Sequence, residues 1–317
     1  MEKRFIIYGA GIRGKRIYNL LNLFGKTDAI YGFCDIQYRE LISINEKKVY
    51  AYDEIKELTG GYPFVISIGN KEEYKKVEQL LINDGKTIYV IDDLPPFLSI
   101  DRTEFNRALY ADIYVNTQYY EKAEVASSGD SIDTYWNEKK DFRQLFNKLD
   151  LSNVIELACG HGRHVSQYID AAGIITLVDI NIENIEFCKK RFLDLKKIKY
   201  YCNNGYNLEK LEDSTYSSLF CYASMIQFEL MDIYSYLKDI YRVLKPGGRA
   251  LIHHSNFDMD YKASYLTNPE LGGRKFMSKN LFAHIAWLTG FEIVEQRLID
   301  WTIPKLDCIS LIEKKKY

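Results

Sequence analysis

Apolar and polar positions along this chain follow two alternating rhythms. "FIIY" at 5–8 is a short unbroken apolar run, and after it Ile12, Ile17, Leu20, Leu21 and Phe24 recur at helical spacing. The run predicts a buried strand, the spacing an amphipathic helix, and Gly25 its stop. "AIYGFCD" at 29–35, "YPFVISIGN" at 62–70 and "TIYVI" at 87–91 read as further strands. Between the last two, "KEEYKKVEQLLINDG" reads as a helix with Tyr74, Val77, Leu80 and Leu81 on one face, and "DDLPPF" ends the unit. Strands alternating with helices argue a parallel sheet.

From 99 to 150 the chain is polar, aromatic and mostly helical in pattern, with one small polar break, "ASSGDS". It reads as a linker that becomes a helical lid. From 151 the alternation returns. Strands are expected at 154–158, 174–180, 199–204, 218–224 and 249–256, with helices at 162–171, 183–196 and 232–244. Pro246-Gly247-Gly248 breaks the last helix. "MSKNLFAHIAWLTG" is a further helix, with Ser278 as N-cap and Gly290 as stop. The two closing strands, "FEIVEQRLI" and "DCISLIEKK", are joined too closely for a parallel crossover, which needs a dozen or more residues, so they pair antiparallel. The expected architecture is α/β in two domains. Residues 1–98 form a parallel-sheet domain, 99–150 a linker or lid, and 151–317 a seven-stranded sheet with a reversed last strand.

Composition narrows the function classes. At 317 residues with 47% hydrophobic positions, two domains with real cores are expected. A net charge of −2 gives no general affinity for nucleic acid or anionic membranes. Six scattered cysteines without a C-x-x-C pair indicate neither a zinc site nor a disulfide framework, which suits a reducing cytosol. No secretory signal or membrane-spanning run is read, so a cytoplasmic protein is expected.

Two glycine turns carry the candidate chemistry. "GAGIRG" at 9–14 is a full G-x-G-x-x-G between strand and helix, and Asp35 follows Gly14 by 21 residues at the end of the next strand. Such a turn lets phosphate approach Gly9, Gly11 and Gly14 at a helix N-terminus, with Arg13 in reach and Asp35 across the cleft. The same turn can serve only helix–strand packing, and both readings stand. The second turn is "VIELACGHGRH" at 154–164, with "LVDI" at 177–180 ending the next strand.

The first stretch, with Gly32, Phe33 and Asp35 in "GFCD", resembles the small N-terminal Rossmann-like domain of bacterial sugar acyltransferases and some glycan-modifying methyltransferases. That resemblance implies a nucleotide-sugar ligand. The second half, about 133–317, resembles class I methyltransferases that use S-adenosylmethionine. Their first motif places Glu156 as the acid and Gly160 and Gly162 as the later glycines, with Ala158 where a glycine is usual and Arg163 following. Alanine is accommodated there if its φ is negative. The resemblance implies that Asp179 takes both ribose hydroxyls beside Ile180. It also implies that Asn204 in "NNGYNL" takes the adenine amine, Tyr222 in "FCYASMIQFE" borders the donor, and Tyr135 with Trp136 folds over it.

Methyl transfer to a hydroxyl needs alignment and a base. "IHHSN" at 252–256 ends the fifth strand. His253 and His254 point to opposite faces, so one of them is the candidate base, with His254 preferred. His161, His164 and His284 read as packing residues. "HHSN", with "MS…F" and "W…DCISL", looks like methyltransferases of bacterial surface-polysaccharide synthesis. The implied acceptor is therefore a sugar or nucleotide-sugar hydroxyl. N- or carboxyl-methylation of a small molecule, and a non-catalytic nucleotide-sugar sensor, are the alternatives. Asp258 and Asp260 raise magnesium as a minority reading, and no metal site is expected. The sequence leaves the oligomeric state open.

Overall fold

The computed structural model describes residues 3–40, 42–57, 61–115, 136–261 and 271–316, and divides into two compact units, 1–112 and 113–317. The first unit contains β1 (Phe5–Tyr8), α1 (Ile12–Leu23), β2 (Ile30–Cys34), β3 (Ser43–Ile44), β4 (Lys47–Tyr50), α2 (Tyr52–Ile55), β5 (Phe64–Ile66), α3 (Lys71–Asn83), β6 (Ile88–Tyr89) and α4 (Leu94–Leu98). Helix α5 (Arg102–Val115) crosses the division. The sheet runs β3-β4-β2-β1-β5-β6, parallel throughout except at the β3–β4 hairpin. That hairpin escapes the sequence pattern because its turn, Asn45-Glu46, has no glycine, yet both residues sit at positive φ (46° and 68°). Helix α1 buries Gly14, Ile17, Leu20 and Leu21, whereas Ile12 stands 79% exposed at its start.

The second unit contains α6 (Asp141–Phe146), β7 (Asn153–Leu157), β8 (Ile174–Asp179), α7 (Ile182–Arg191), β9 (Ile198–Cys202), β10 (Tyr216–Cys221), α8 (Leu230–Val243), β11 (Leu244–Ser255), α9 (Lys279–Leu288), β12 (Phe291–Ile299) and β13 (Asp307–Lys314). Its sheet runs β12-β13-β11-β10-β7-β8-β9, with β13 antiparallel to both neighbours and every other pair parallel. Strand residues alternate between two core clusters. Ile155 and Leu157 pack with the buried stripe of α8 (Ile233, Tyr236, Leu237, Ile240) and with Phe282 of α9, while Val154 joins Trp136, Phe142, Phe146 and Ile185. Ser278 caps α9 by accepting from Leu281 N–H, and Gly290 stops it at φ +99°.

Two expectations change. The stretch 99–150 is not a separate linker and lid among the described residues. Its first part packs on unit one, where Arg16 pairs with Asp112 at 2.6 Å and Phe105 meets Phe24, and its last part enters the core of unit two through Trp136, Phe142 and Phe146. The break at 126–131 and Tyr135 lie outside the described residues. The helix expected at 162–171 is absent as well. A 3₁₀ turn, Val165–Gln167, stands in a run of turns there. Side chains pin this segment at two points, His164 to Trp136 and Tyr168 to Glu156.

Candidate active site

The turn after β7 is held from the neighbouring strand. Cys159 N–H donates to Val178 O at 3.0 Å, and Gly160 N–H to Asp179 Oδ2 at 2.8 Å. Asp179 Oδ1 accepts from Asn181 N–H (2.9 Å) and from Asn184 Nδ2 (3.0 Å). Gly160 and Gly162 lie at φ +54° and +69°, and so does Ala158, at +58°. The condition of a negative φ at Ala158 is thus not met, and the alanine carries the left-handed strain that a glycine would avoid.

Burial sets the charges. Glu156 is 2% exposed, and Tyr168 OH donates to its Oε2 at 2.7 Å. Burial pushes its carboxyl up to about 8 despite that bond. Burial also raises Asp179, against the bonds from Asn181, Gly160 and Asn184. The Ile180 backbone N–H is directed at Asp179 as well, so protein donors engage most of the four or so lone-pair positions of this carboxylate. Arg163 is half-buried beside this turn, its charge within reach of Glu156. His161 stacks on Phe187, His164 accepts from Trp136 Nε1 at 3.0 Å, and burial together with the nearby Arg163 charge pushes the His164 imidazole well below its usual range. Trp136 is 6% exposed and belongs to the aromatic core, so it is no lid.

Asn204 does not present a free amide. Its Oδ1 accepts from Tyr206 N–H and Asn207 N–H, folding the turn locally. Asn203, one residue earlier, is the better placed. Its N–H donates to Asp179 O, its Nδ2 bonds Asn207 O and Tyr236 OH, and its buried Oδ1 has no partner. The sequence reading missed Asn203, although "NN" offered both. Ile180 is half-buried beside them, and its carbonyl accepts from Cys202 Sγ. Tyr222 lies between Phe142 and His253, at ring distances of 4.2 and 4.7 Å.

The two histidines of β11 differ sharply. His254 is wholly buried, stacked on Phe282 at 3.9 Å. Its Nδ1–H donates to Ser255 O and its Nε2 accepts from Ser310 Oγ–H, both at 2.8 Å. Burial pushes its imidazole down to about 3. The preference for His254 as base is thus overturned, because it is a core residue with both nitrogens in use. His253 faces Tyr222. Ala223 N–H donates to its Nδ1 (3.1 Å), so the ring proton sits on Nε2. Nε2 lies 3.2 Å from Asp307 Oδ2, off the ideal hydrogen-bond direction. Arg274 grips Asp307 with a fork, Nε to Oδ1 at 3.0 Å and Nη2 to Oδ2 at 2.7 Å. Burial alone would raise the Asp307 carboxyl, but His253 and Arg274 together hold it below the ordinary range. Neither Asp307 nor Arg274 was singled out from sequence. Asp307 had a signal, an acid heading a largely apolar strand, and Arg274 had none. Among the described residues, Asp258 and Asp260 included, no group of three or more His, Cys, Asp or Glu could hold a metal ion.

In the first unit, Gly9 lies at φ +110°, and Ala10 N–H donates to Asp35 Oδ2 at 2.7 Å. A Cβ on Gly14 would stand 2.1 Å from Gly9 O, whereas one on Gly11 would meet nothing within 4 Å. Arg13 Nη1 reaches Ile68 O.

Among the described residues, the buried Glu156 Oε1 and Asn203 Oδ1 have no partner, which fits a ligand that brings its own donors, as the amines of S-adenosylmethionine would. Residues 154–248 match the family model of a methyltransferase domain. Among solved structures, an S-adenosylmethionine-dependent methyltransferase from Mesorhizobium loti is 12% identical, covering 55% of this chain and 97% of its own, with a TM-score of 0.46. One from Methanosarcina mazei is 17% identical over 55% and 98%, at 0.45. The [4+2]-cyclase SpnF is 13% identical over 55% and 80%, also at 0.45. No curated protein matches the chain in sequence. With the family match and the strand order of its sheet, the second unit is a class I methyltransferase fold, and the protein is an enzyme that transfers methyl groups from S-adenosylmethionine.

Proposed function

We propose that the enzyme O-methylates a sugar hydroxyl, on a nucleotide-linked or glycan acceptor of the kind used in cytoplasmic steps of bacterial surface-polysaccharide synthesis. The observation that most supports this reading is Gly11. The fold itself requires Gly9, by its φ, and Gly14, by its contact with Gly9 O, whereas at Gly11, the N-cap of α1, a φ of −76° would admit other residues. A glycine facing open space at a helix start suits the phosphates of a nucleotide-sugar, with Arg13 and Asp35 at the rim.

In the second unit, S-adenosylmethionine supplies an electrophilic methyl group. The turn at Gly160 admits it closely, while Gly162 serves packing, since a Cβ there would stand 2.7 Å from Phe192; Asp179 faces the ribose, and Asn203 Oδ1 accepts from the adenine amine. Tyr222 borders the site. Of the two β11 histidines only His253 faces Tyr222, and its Nδ1 would have to release Ala223 N–H to take the acceptor's proton. The test is incubation of the full chain with S-adenosylmethionine and a panel of nucleotide-sugars, read as S-adenosylhomocysteine release and methylated product by mass. Product with none of them, but with amine or carboxylate acceptors, would overturn the sugar reading. One observation favours that second reading. Both ring nitrogens of each β11 histidine already have partners, and an amine or carboxylate acceptor needs no protein base.

A further inference from the structure

We infer that Trp301 and Gln227 form the acceptor subsite of the second unit, where an uncharged sugar ring lies on the indole and donates a hydroxyl hydrogen bond to Gln227 Oε1. The inference rests on the reading of the acceptor as a sugar.

The loop that carries Trp301 joins β12 to β13. Ile299 pairs with Asp307, and Asp307 with Ser255 at the end of β11, so the loop sits at the carboxyl edge of the parallel strands. Ligands of open α/β sheets bind outside that edge. Tyr222 and the 3₁₀ turn Met225–Gln227 follow β10 at the same edge. The stretch "GGRK" at 272–275 ties the two together. Gly272 and Gly273 lie at φ +59° and +74°, and the Arg274 side chain rests against Gly272, where an added Cβ would stand 2.4 Å from Nη1. Gln227 Nε2 donates to Gly272 O at 2.7 Å, and Lys275 N–H to Ile226 O at 3.0 Å. The Arg274 guanidinium in turn lies over the Trp301 ring, 5.2 Å from its centroid.

What these residues leave unused describes a ligand. The guanidinium covers one face of the indole, yet Trp301 is 51% exposed, and its ring N–H has no bond among the described residues. Gln227 is 7% exposed. Gly272 O only accepts, so the amide nitrogen is the atom that meets it, and the same nitrogen donates to Tyr114 OH. Among the described residues nothing donates to Gln227 Oε1, and that atom is not sealed from solvent. The cations beside them are spent. Arg274 gives Nε and Nη2 to Asp307 and Nη1 to Leu271 O, and Lys275 pairs with Glu229 at 2.8 Å. The patch therefore offers an aromatic face, one donor and one fixed acceptor, and these two cations give a carboxylate or phosphate no counter-ion. A pyranose, apolar on a ring face and rimmed with hydroxyls, matches that set.

Fluorine NMR on the full chain tests the subsite without turnover. The three tryptophans, Trp136, Trp287 and Trp301, are replaced by 5-fluorotryptophan, and S-adenosylhomocysteine is present. UDP-glucose, GDP-mannose and dTDP-rhamnose are added in turn, with UDP, GDP and dTDP as controls. The Trp301 signal, identified by its loss in Trp301→Phe, is expected to shift with at least one nucleotide-sugar and with none of the bare nucleotides. No shift with any of the three, or the same shift with nucleotide alone, overturns the inference. With the nucleotide-sugar that shifts it, Trp301→Ala and Gln227→Leu should each raise KM by about tenfold at unchanged S-adenosylmethionine affinity. Trp301→Phe, which keeps an aromatic face, should recover most of the loss. The half-exposed Trp301 tolerates substitution, so its variants serve if Gln227→Leu does not fold. Methylation with unchanged KM in Trp301→Ala sinks the subsite and leaves the sugar reading standing. A Trp301 shift without methylated product sinks the O-methylation reading and leaves a sugar-binding subsite.

Discussion

The two glycine turns of this chain clamp an aspartate in the same way. Ala10 N–H and Gln37 N–H donate to Asp35 at 2.7 and 2.9 Å, and Gly160 N–H and Asn181 N–H to Asp179 at 2.8 and 2.9 Å. What surrounds them differs. Asp35 is half-buried with no further bond among those described, and its turn opens the twelve-residue α1. Asp179 is 5% exposed, takes a third donor from Asn184, and lies among buried atoms that lack partners. The fuller glycine pattern belongs to the first turn, whereas the methyltransferase match covers the second. Glycine spacing reports how the backbone bends. Buried acceptors left without donors report where a ligand is expected.

The largest effect should come from Gly14→Val. Its Cβ would stand 2.1 Å from a backbone oxygen that cannot move without opening the turn, an overpacking cost of about 3 kcal/mol. Hydrogen exchange at β1 and α1 should quicken while donor affinity, by calorimetry, holds. A matching loss of donor affinity would mean the two turns are not independent.

Asp179→Ala should weaken S-adenosylmethionine binding by roughly 1.5 to 3 kcal/mol, the worth of hydrogen bonds to a charged group. Asp35→Ala should leave it unchanged. Equal effects, or none in either, would remove the distinction between the clamps.

Glu156→Gln probes the buried carboxyl beside the second turn. Burial holds that carboxyl at about 8, against an ordinary value of 4.5. Between those values the unfolded chain holds fewer protons than the folded one, so stability falls as pH rises, by at most about 1.4 kcal/mol per unit. From pH 6 to 8 the wild type should lose about 2 kcal/mol relative to the glutamine variant, which keeps an acceptor for Tyr168. Parallel denaturation curves for both proteins would show that Glu156 is ionised throughout.

The alternation of strands and helices and the reversal of β13 were legible because they follow from apolar periodicity and loop length, whereas the order of strands in either sheet was not. The two histidines of β11 were legible as a pair, but not their roles. Alternation puts them on opposite faces, and only packing tells which face is core: Phe282 and Ser310 claim His254. Asn203 was hidden beside Asn204 because the amide that folds the turn and the amide that is left unpaired are the same residue type. The sign of φ at Ala158 was illegible, since a neighbouring strand imposes it through Cys159 and Gly160. Arg274 is recognisable only through Asp307, 33 positions away.

The smallest effect on the fold, and the one that decides whether the first turn is a site at all, belongs to Gly11→Val. Gly11 is the N-cap of α1 with an ordinary φ of −76° and no side-chain cap, so valine there costs less than about 1 kcal/mol. Its Cβ meets nothing in the protein, and so it would occupy the space a phosphate needs. Nucleotide-sugar binding to the full chain should fall while S-adenosylmethionine affinity and thermal stability hold. Gly14→Val cannot make this separation, because it breaks the turn and any ligand site together. If the folded Gly11→Val protein binds and methylates nucleotide-sugars as the wild type does, the first turn is helix–strand packing alone, and its likeness to the second ends at the backbone.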